Sequence, residues 1–348
     1  MKRKTLIFAA SLALLILVTG VVFAEDVPGY TYGPPLFGLE AAPDGSLLAA
    51  NAEAGIIELR NGGSSVVNAL PGVTDIAPIG RGSMFAITGG GEAGDPISNR
   101  LYSVSRGTSK VIADLGAFEA AVNPDGGEVD SNPYGVAVLD GGKALVADAG
   151  GNSLLIVDRQ GNVDWVATLP SELVSTDNIK DLAGCDDTPL PGAEFVCFLP
   201  PMVEAEAVAT SVAVGPDGAY YVSELKGFPA PTGVSKIWRI EPGTLHAHCG
   251  TDPACSVAVD GLTSIVDLNF GPDGTLYAVE LDEASWAAVE ILQSPTGGTV
   301  DACNVSNGTC TEVATGLIVP TAVAVDKQGN LSAAVEGLLP SAHVITLP

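Results

Sequence analysis

Positive charge is what this chain most lacks. Its 348 residues carry 15 Lys and Arg against 41 Asp and Glu, a formal net charge of −26. Nucleic acid and anionic membrane surfaces bind through Lys and Arg stripes, so neither is a partner here. Aromatic residues make up only 5%. Histidine is limited to His246, His248 and His343, which leaves few neutral-pH bases and few soft metal ligands. No Cys-x-x-Cys pair argues for a zinc or thioredoxin-like site, and no Gly-x-Ser-x-Gly elbow offers a nucleophile. Beyond the N-terminus no long stretch has a helical period, so little helix is expected.

What is abundant is turn and strand chemistry. There are 42 Gly and 24 Pro among runs of Val, Ala and Leu, which suits short strands joined by tight turns. The N-terminus is different. Lys2, Arg3 and Lys4 precede an apolar run from Thr5 to Phe23, with small residues at Val22-Phe23-Ala24. Residues 1–24 read as a signal peptide cleaved after Ala24, with an uncleaved anchor as the alternative. Either way the folded part lies outside the cytoplasm, secreted or periplasmic, and no later segment could span a membrane. Without the leader 12 Lys and Arg face 41 acids, a net charge of −29.

The six cysteines form three close pairs, Cys185/Cys197, Cys249/Cys255 and Cys303/Cys310. In an oxidising compartment such spacing favours local structural disulfides.

One unit recurs six times: strand, Gly turn, strand. The copies are 37–51, 74–88, 134–148, 210–224, 266–280 and 321–336. Five have 15 residues and the sixth 16, with the turn at a constant offset. A third apolar run follows each: 56–60, 101–105, 154–158, 236–240, 287–291 and 343–347. A weaker fourth run follows at 163–169, 256–262 and 311–317. Four antiparallel strands repeated radially make a β-propeller blade, so the expected fold is an all-β, six-bladed β-propeller filling residues 25–348 as a single domain. The last copy ends after three strands. A strand from Val27 to Pro34 beside His343–Thr346 would complete it. Residues 171–207 interrupt the repeat and form an insertion suited to a lid or partner-binding loop.

Two stretches, 130–158 (DSNPYGVAVLDGGKALVADAGGNSLLIVD) and 210–231 (TSVAVGPDGAYYVSELKGFPAP), resemble the ScyD/ScyE family, propeller proteins named for the scytonemin gene cluster and similar to the wider NHL-like propellers. The resemblance implies an exported six-bladed propeller and no established reaction.

Aligned copies place Asn51, Thr88, Asp148, Glu224, Glu280 and Glu336 at the second-strand ends. Gly38, Asp75, Gly135, Ser211, Asp267 and Ala322 stand just inside the first strands. The expected ligand site at one channel mouth therefore comprises Asp75, Asp130, Asn132, Asp148, Glu224, Asp267, Glu280 and Glu336. Asp148, Glu224, Glu280 and Glu336 are the candidate ligands of a hard cation, calcium being the one cofactor the pattern admits. The structural alternative is that Asp148 accepts N–H bonds from Gly150 and Gly151 and that the glutamates are solvated. Two functions follow: a binding or scaffold module for a small molecule or an extracytoplasmic protein, or a calcium-dependent hydrolase resembling lactonases and esterases. No catalytic residue can be named.

Overall fold

The computed structural model describes residues 33–348 apart from 61, 81, 92–94 and 106. Its strands form six antiparallel blades. Blade one runs Leu36–Ala41, Leu47–Asn51, Gly55–Arg60 and Gly63–Asn68. Blade two runs Val73–Gly80, Ser83–Thr88, Arg100–Ser105 and Thr108–Asp114. Blade three runs Pro133–Leu139, Lys143–Asp148, Ser153–Val157 and Val163–Thr168, with Ala247–His248 from the blade-four loop added in parallel at its outer edge. Blade four runs Ala209–Val214, Tyr220–Glu224, Ser235–Ile240 and Cys255–Leu262. Blade five runs Ile265–Phe270, Leu276–Glu280, Gly298–Asn304 and Thr309–Leu317. Blade six has three strands among the described residues, Ala322–Val325, Leu331–Val335 and His343–Thr346. Each inner strand packs on the next, and the sixth returns to the first. The strand expected at 27–34 lies mostly outside the described residues.

Apolar side chains alternate along each strand, so each blade offers a face to both neighbours. Six buried clusters result, one per interface. Leu145, Val222 and Ile240, for example, join blades three and four. Leu36, Leu39, Ala322 and Ala334 join blade six to blade one. Closure also uses polar bonds: Leu36 N donates to Gly337 O at 2.8 Å and Thr321 Oγ1 to Leu36 O at 2.6 Å.

The third strand of blade five departs from expectation. Residues 287–291 are not strand; Trp286–Glu290 form a short helix, and the strand is Gly298–Asn304. The run Ala-Ala-Val-Glu is a better helix than strand former. Asp282 holds the long loop that contains it. Its carboxylate accepts from Ala284 N, Thr296 N and Gly297 N.

All three disulfides form. Cys249–Cys255 and Cys303–Cys310 staple the loops between third and outer strands of blades four and five. Cys185–Cys197 lies in the insertion between blades three and four. That insertion holds a hairpin, Glu172–Ser175 with Met202–Ala205, a helix Asp177–Leu182 and a 3-10 turn Glu194–Phe198. It has its own small core of Ile179, Ala183, Ala193 and Val196, packed on Ala230 and Ala287 from blades four and five. No helix among the described residues is long and apolar enough to cross a membrane.

Candidate functional site

The inner strands begin at one mouth of the central channel, and a β-bulge opens five of them. In blade three Asp148 pairs with Pro133 and Ala147 with Gly135, which leaves Tyr134 unpaired. Equivalent shifts free Phe37, Thr74 and Val266, and fall between Ala209 and Val212 in blade four. A bulge bends its strand and re-aims a side chain. Here it turns the extra residue into the mouth, which is lined by Phe37, Thr74, Asp75, Tyr134, Ser211 and Asp267. The space left has room for about one water molecule. The Phe37 and Tyr134 rings meet edge to face with centroids 5.7 Å apart.

Of the equivalent positions Gly38, Asp75, Gly135, Ser211, Asp267 and Ala322, three stitch blade to blade. Asp75 Oδ2 accepts from Val136 N at 2.7 Å, Asp267 Oδ2 from Val323 N at 2.9 Å, and Ser211 Oγ from Leu268 N at 3.1 Å. Each bond reaches from one inner strand to the next blade. Ser211 Oγ also donates to Asp267 Oδ1 at 3.0 Å. Glycine fills two remaining positions because the neighbouring strand is too close. A Cβ on Gly135 would lie 2.7 Å from Ser211 Cα, and one on Gly38 2.5 Å from Asp75 Oδ1.

Burial dominates the electrostatics of this channel. It raises Asp267 to about 7 despite the N–H bonds that favour its charge. Desolvation and then the Asp267 charge push Asp75 well above its ordinary value. Glu40, one inward-facing step below Gly38, is raised by desolvation and by Asp75 and Asp267. Asn269 Nδ2 approaches it at 3.5 Å. Burial, followed by the Glu290, Asp267 and Asp75 charges, raises Tyr134. Glu290 itself rises to about 7 through desolvation.

The second-strand acids lie one strand farther out, and each is engaged separately. Asp148 accepts from Ser131 Oγ and Asn132 N, both at 2.7 Å, and from Gly151 N at 3.2 Å. Glu224 accepts from Trp238 Nε1 at 2.6 Å and stands 3.0 Å from Lys226 Nζ. Glu280 accepts from Thr263 N, and the Asp301 and Glu283 charges face it. Glu336 sits at a turn with φ 53°. Asn132 Oδ1 accepts from Gly90 N at 2.8 Å, and Asp130 is exposed on its loop. The structure thus brings Asp75 and Asp267 to the channel mouth and keeps the second-strand acids apart. Among the described residues no three His, Cys, Asp or Glu side chains converge to hold a metal ion. The four second-strand acids do not fit a shared ion in this geometry.

Sequence reasoning missed Glu40, although side chains two apart on a strand share a face and Glu40 is two residues from Gly38. It also missed Lys226, which is fully buried and pairs with Glu172 at 3.0 Å as well as with Glu224. Lys236 also pairs with Glu172. Burial is the largest influence on both acids. It wins at Glu224, which is raised, and loses to the Lys236 and Lys226 bonds at Glu172, which is lowered. The difference follows exposure, since the Glu224 side chain is wholly enclosed and that of Glu172 is not.

Fold and mouth together define a six-bladed β-propeller whose channel mouth is narrowed by its own side chains. No protein-family model and no curated protein matches the chain. Solved structures do resemble it. The calcium-binding protein regucalcin from Agrobacterium tumefaciens has a TM-score of 0.54 at 14% identity, over 90% of this chain and 91% of that one. The PQQ-bound aldose sugar dehydrogenase of Streptomyces coelicolor has a TM-score of 0.54 at 13% identity, over 91% and 95%. A Bacteroides thetaiotaomicron protein of unknown function has a TM-score of 0.57 at 11% identity, over 90% of this chain and 69% of its own. At these identities the likeness establishes the fold alone.

Proposed function

We propose that this chain is an exported, ScyD/ScyE-like propeller that works as a binding module, and that it takes an apolar segment with basic flanks from an extracytoplasmic protein. The observation that carries this reading is the insertion between blades three and four. It is rigidly held: Asn178 Nδ2 donates to Ala230 O at 2.7 Å and Ala284 O at 3.2 Å, Lys226 binds Glu172, and a disulfide closes its loop. Yet it turns large apolar side chains outward. Phe198 is 86% exposed and Leu173 70%. Leu173 and Met202 share a face of the hairpin, and Phe195 stacks on Phe228 with centroids 6.5 Å apart. A rigid exposed apolar patch marks an interaction surface. Its rim is of one sign, with Asp177, Asp181, Asp186, Asp187, Glu194 and Glu204 exposed. The one lysine of the insertion, Lys180, is turned in on Leu199 O. Charge complementarity therefore selects a basic partner.

The test uses synthetic peptides with a Leu/Phe centre flanked by lysines, and the same peptides flanked by glutamates, in fluorescence anisotropy. The lysine series is expected to bind, and a Leu173→Asp/Phe198→Asp double variant to bind at least about tenfold more weakly. Equal binding of both series, or unchanged binding by the variant, would sink the idea.

One observation favours a second reading, a calcium-dependent lactonase- or esterase-like hydrolase at the channel mouth. Asp267, raised to about 7, is suited to move a proton near neutrality. That reading needs calcium to draw together acids that stand apart. Its test is a lactone and ester screen with and without calcium, where turnover lost in Asp267→Ala would support it.

A further inference from the structure

We propose a calcium site on the loop face of blade three, outside the channel, with Glu119 Oε1, Asn123 Oδ1 and Ser153 Oγ as fixed donors and Asp125 closing it from the loop. Glu119 lies on the helix Leu115–Val122 between blades two and three, and Asn123 is its left-handed C-cap one turn later. Glu119 is 1% exposed and Ser153 0%. All three donor atoms are buried and without a hydrogen-bond partner. Native proteins rarely leave such groups unpaired.

The surroundings supply no cation. The charges that face Glu119 are Asp148, Asp125 and Asp130, and across the loop Glu206 faces Asp125, Asp130 and Glu128. Among the described residues no ion pair includes Glu119. The Ser153 hydroxyl can donate its own proton to one acceptor and a proton on Glu119 or a water can serve another, but none of these offsets the charge of the surrounding acids. A cation serves all of them and offsets the surrounding charge as well.

Glu119 and Ser153 also come together at one point of the backbone, beside Gly151. Gly151 follows the Asp148 turn, and a Cβ placed there would stand 3.1 Å from Glu119 Oε2 and 3.4 Å from Ser153 Oγ. Asp125 is held beside this point, since Asn152 Nδ2 donates to its Oδ2 at 3.1 Å and Gly127 N to its Oδ1 at 2.9 Å. Carboxylate, amide and hydroxyl oxygens in irregular array are the donors calcium takes, with carbonyls and waters completing six to eight. Because only one fixed donor is an acid, the set is distinct from a cluster of three acidic ligands.

Isothermal titration of the full-length protein with calcium chloride tests this. The wild type is expected to bind one calcium with a Kd on the order of 0.1–1 mM, the range of extracellular modules. Its Tm should rise by about 2–4 °C in 10 mM calcium. Glu119→Gln removes the one charge among the three fixed donors and should weaken binding at least tenfold. Gly151→Ala removes no donor but presses a Cβ on Glu119 Oε2 and Ser153 Oγ, so it should displace the donors and weaken binding similarly while the protein stays folded. Glu312→Gln, an exposed acid on the outer strand of blade five, should bind as the wild type does. A wild type indifferent to calcium would mean that only a proton or a water sits there, and overturns the proposal. Calcium binding that survives in both Glu119→Gln and Gly151→Ala overturns it too, by placing the ion elsewhere.

Discussion

Replacing Asp267 in two ways separates its acceptor role from its charge. In Asp267→Ala, Val323 N loses its acceptor and the Ser211 hydroxyl loses its carboxylate partner. An orphaned buried polar group costs about 1–3 kcal/mol, so the alanine variant should lose about 2–4 kcal/mol. Asp267→Asn keeps an oxygen for Val323 N and removes the buried charge. Burial raises this carboxyl from 3.8 to about 7, which sets an upper bound of about 4 kcal/mol on the penalty the charged form carries at pH 8. Part of that is returned when two neutral bonds replace two charge-assisted ones. The asparagine variant should therefore match or exceed wild-type stability by about 0–2 kcal/mol at pH 8. The advantage should vanish at pH 5, where the wild-type group is already protonated. Urea unfolding followed by tryptophan fluorescence gives the comparison through shifts of midpoint at constant slope. If Asp267→Asn loses as much as Asp267→Ala at pH 8, the negative charge is itself used, as by a bound cation, and the stitching account is wrong.

Other expectations follow from the same contacts. Lys226→Met strands Glu224 in the interior and cuts the tie to Glu172, at a cost of about 3–5 kcal/mol; limited proteolysis should then cleave the 171–207 insertion before the blades, and an unchanged digestion pattern would refute the tie. Gly135→Ala drives a Cβ to 2.7 Å from Ser211 Cα, backbone that cannot swing away, so a loss of about 1–3 kcal/mol is expected in the same urea assay. Stability should rise as pH falls from 8 to about 5. Glu280, Glu290 and Asp267 are raised to about 7 and Asp301 to about 6, each chiefly by burial, so the folded state holds more protons than the unfolded state across that window. Below about pH 4 the trend should reverse, as Asp158, Asp273 and Asp326, held low by turn hydrogen bonds, are protonated. Thermal melts at intervals from pH 3 to 9 check the sign, and a maximum above pH 7 would contradict it.

The blades were legible in the sequence because a hairpin leaves a local record. Gly at a fixed offset between two alternating runs specifies turn and register together. The third strand of blade five was not legible. A short apolar run such as 287–291 suits helix or strand equally by period, and what decides it is Asp282 binding amides 14 and 15 residues away. The second-strand acids show the deeper limit. Equal positions in a repeat imply equal backbone geometry, not a shared ligand. Asp148 closes on amides of its own turn and the preceding loop, Glu224 on an indole and a buried lysine, and Glu280 on an amide beside Asp301. They do not line the channel with Asp75 and Asp267 because they end the second strand and not the first, and a bulge one residue long widens the offset in five blades. It shifts the pairing so that the channel position lies two residues beyond the acid's own partner. Nothing in side-chain type marks a bulge whose extra residue is Phe, Thr, Tyr or Val. Glu119 and Lys226 fall outside the aligned hairpins altogether. The repeat therefore locates the scaffold, and the groups with unusual chemistry are found where the chain departs from it.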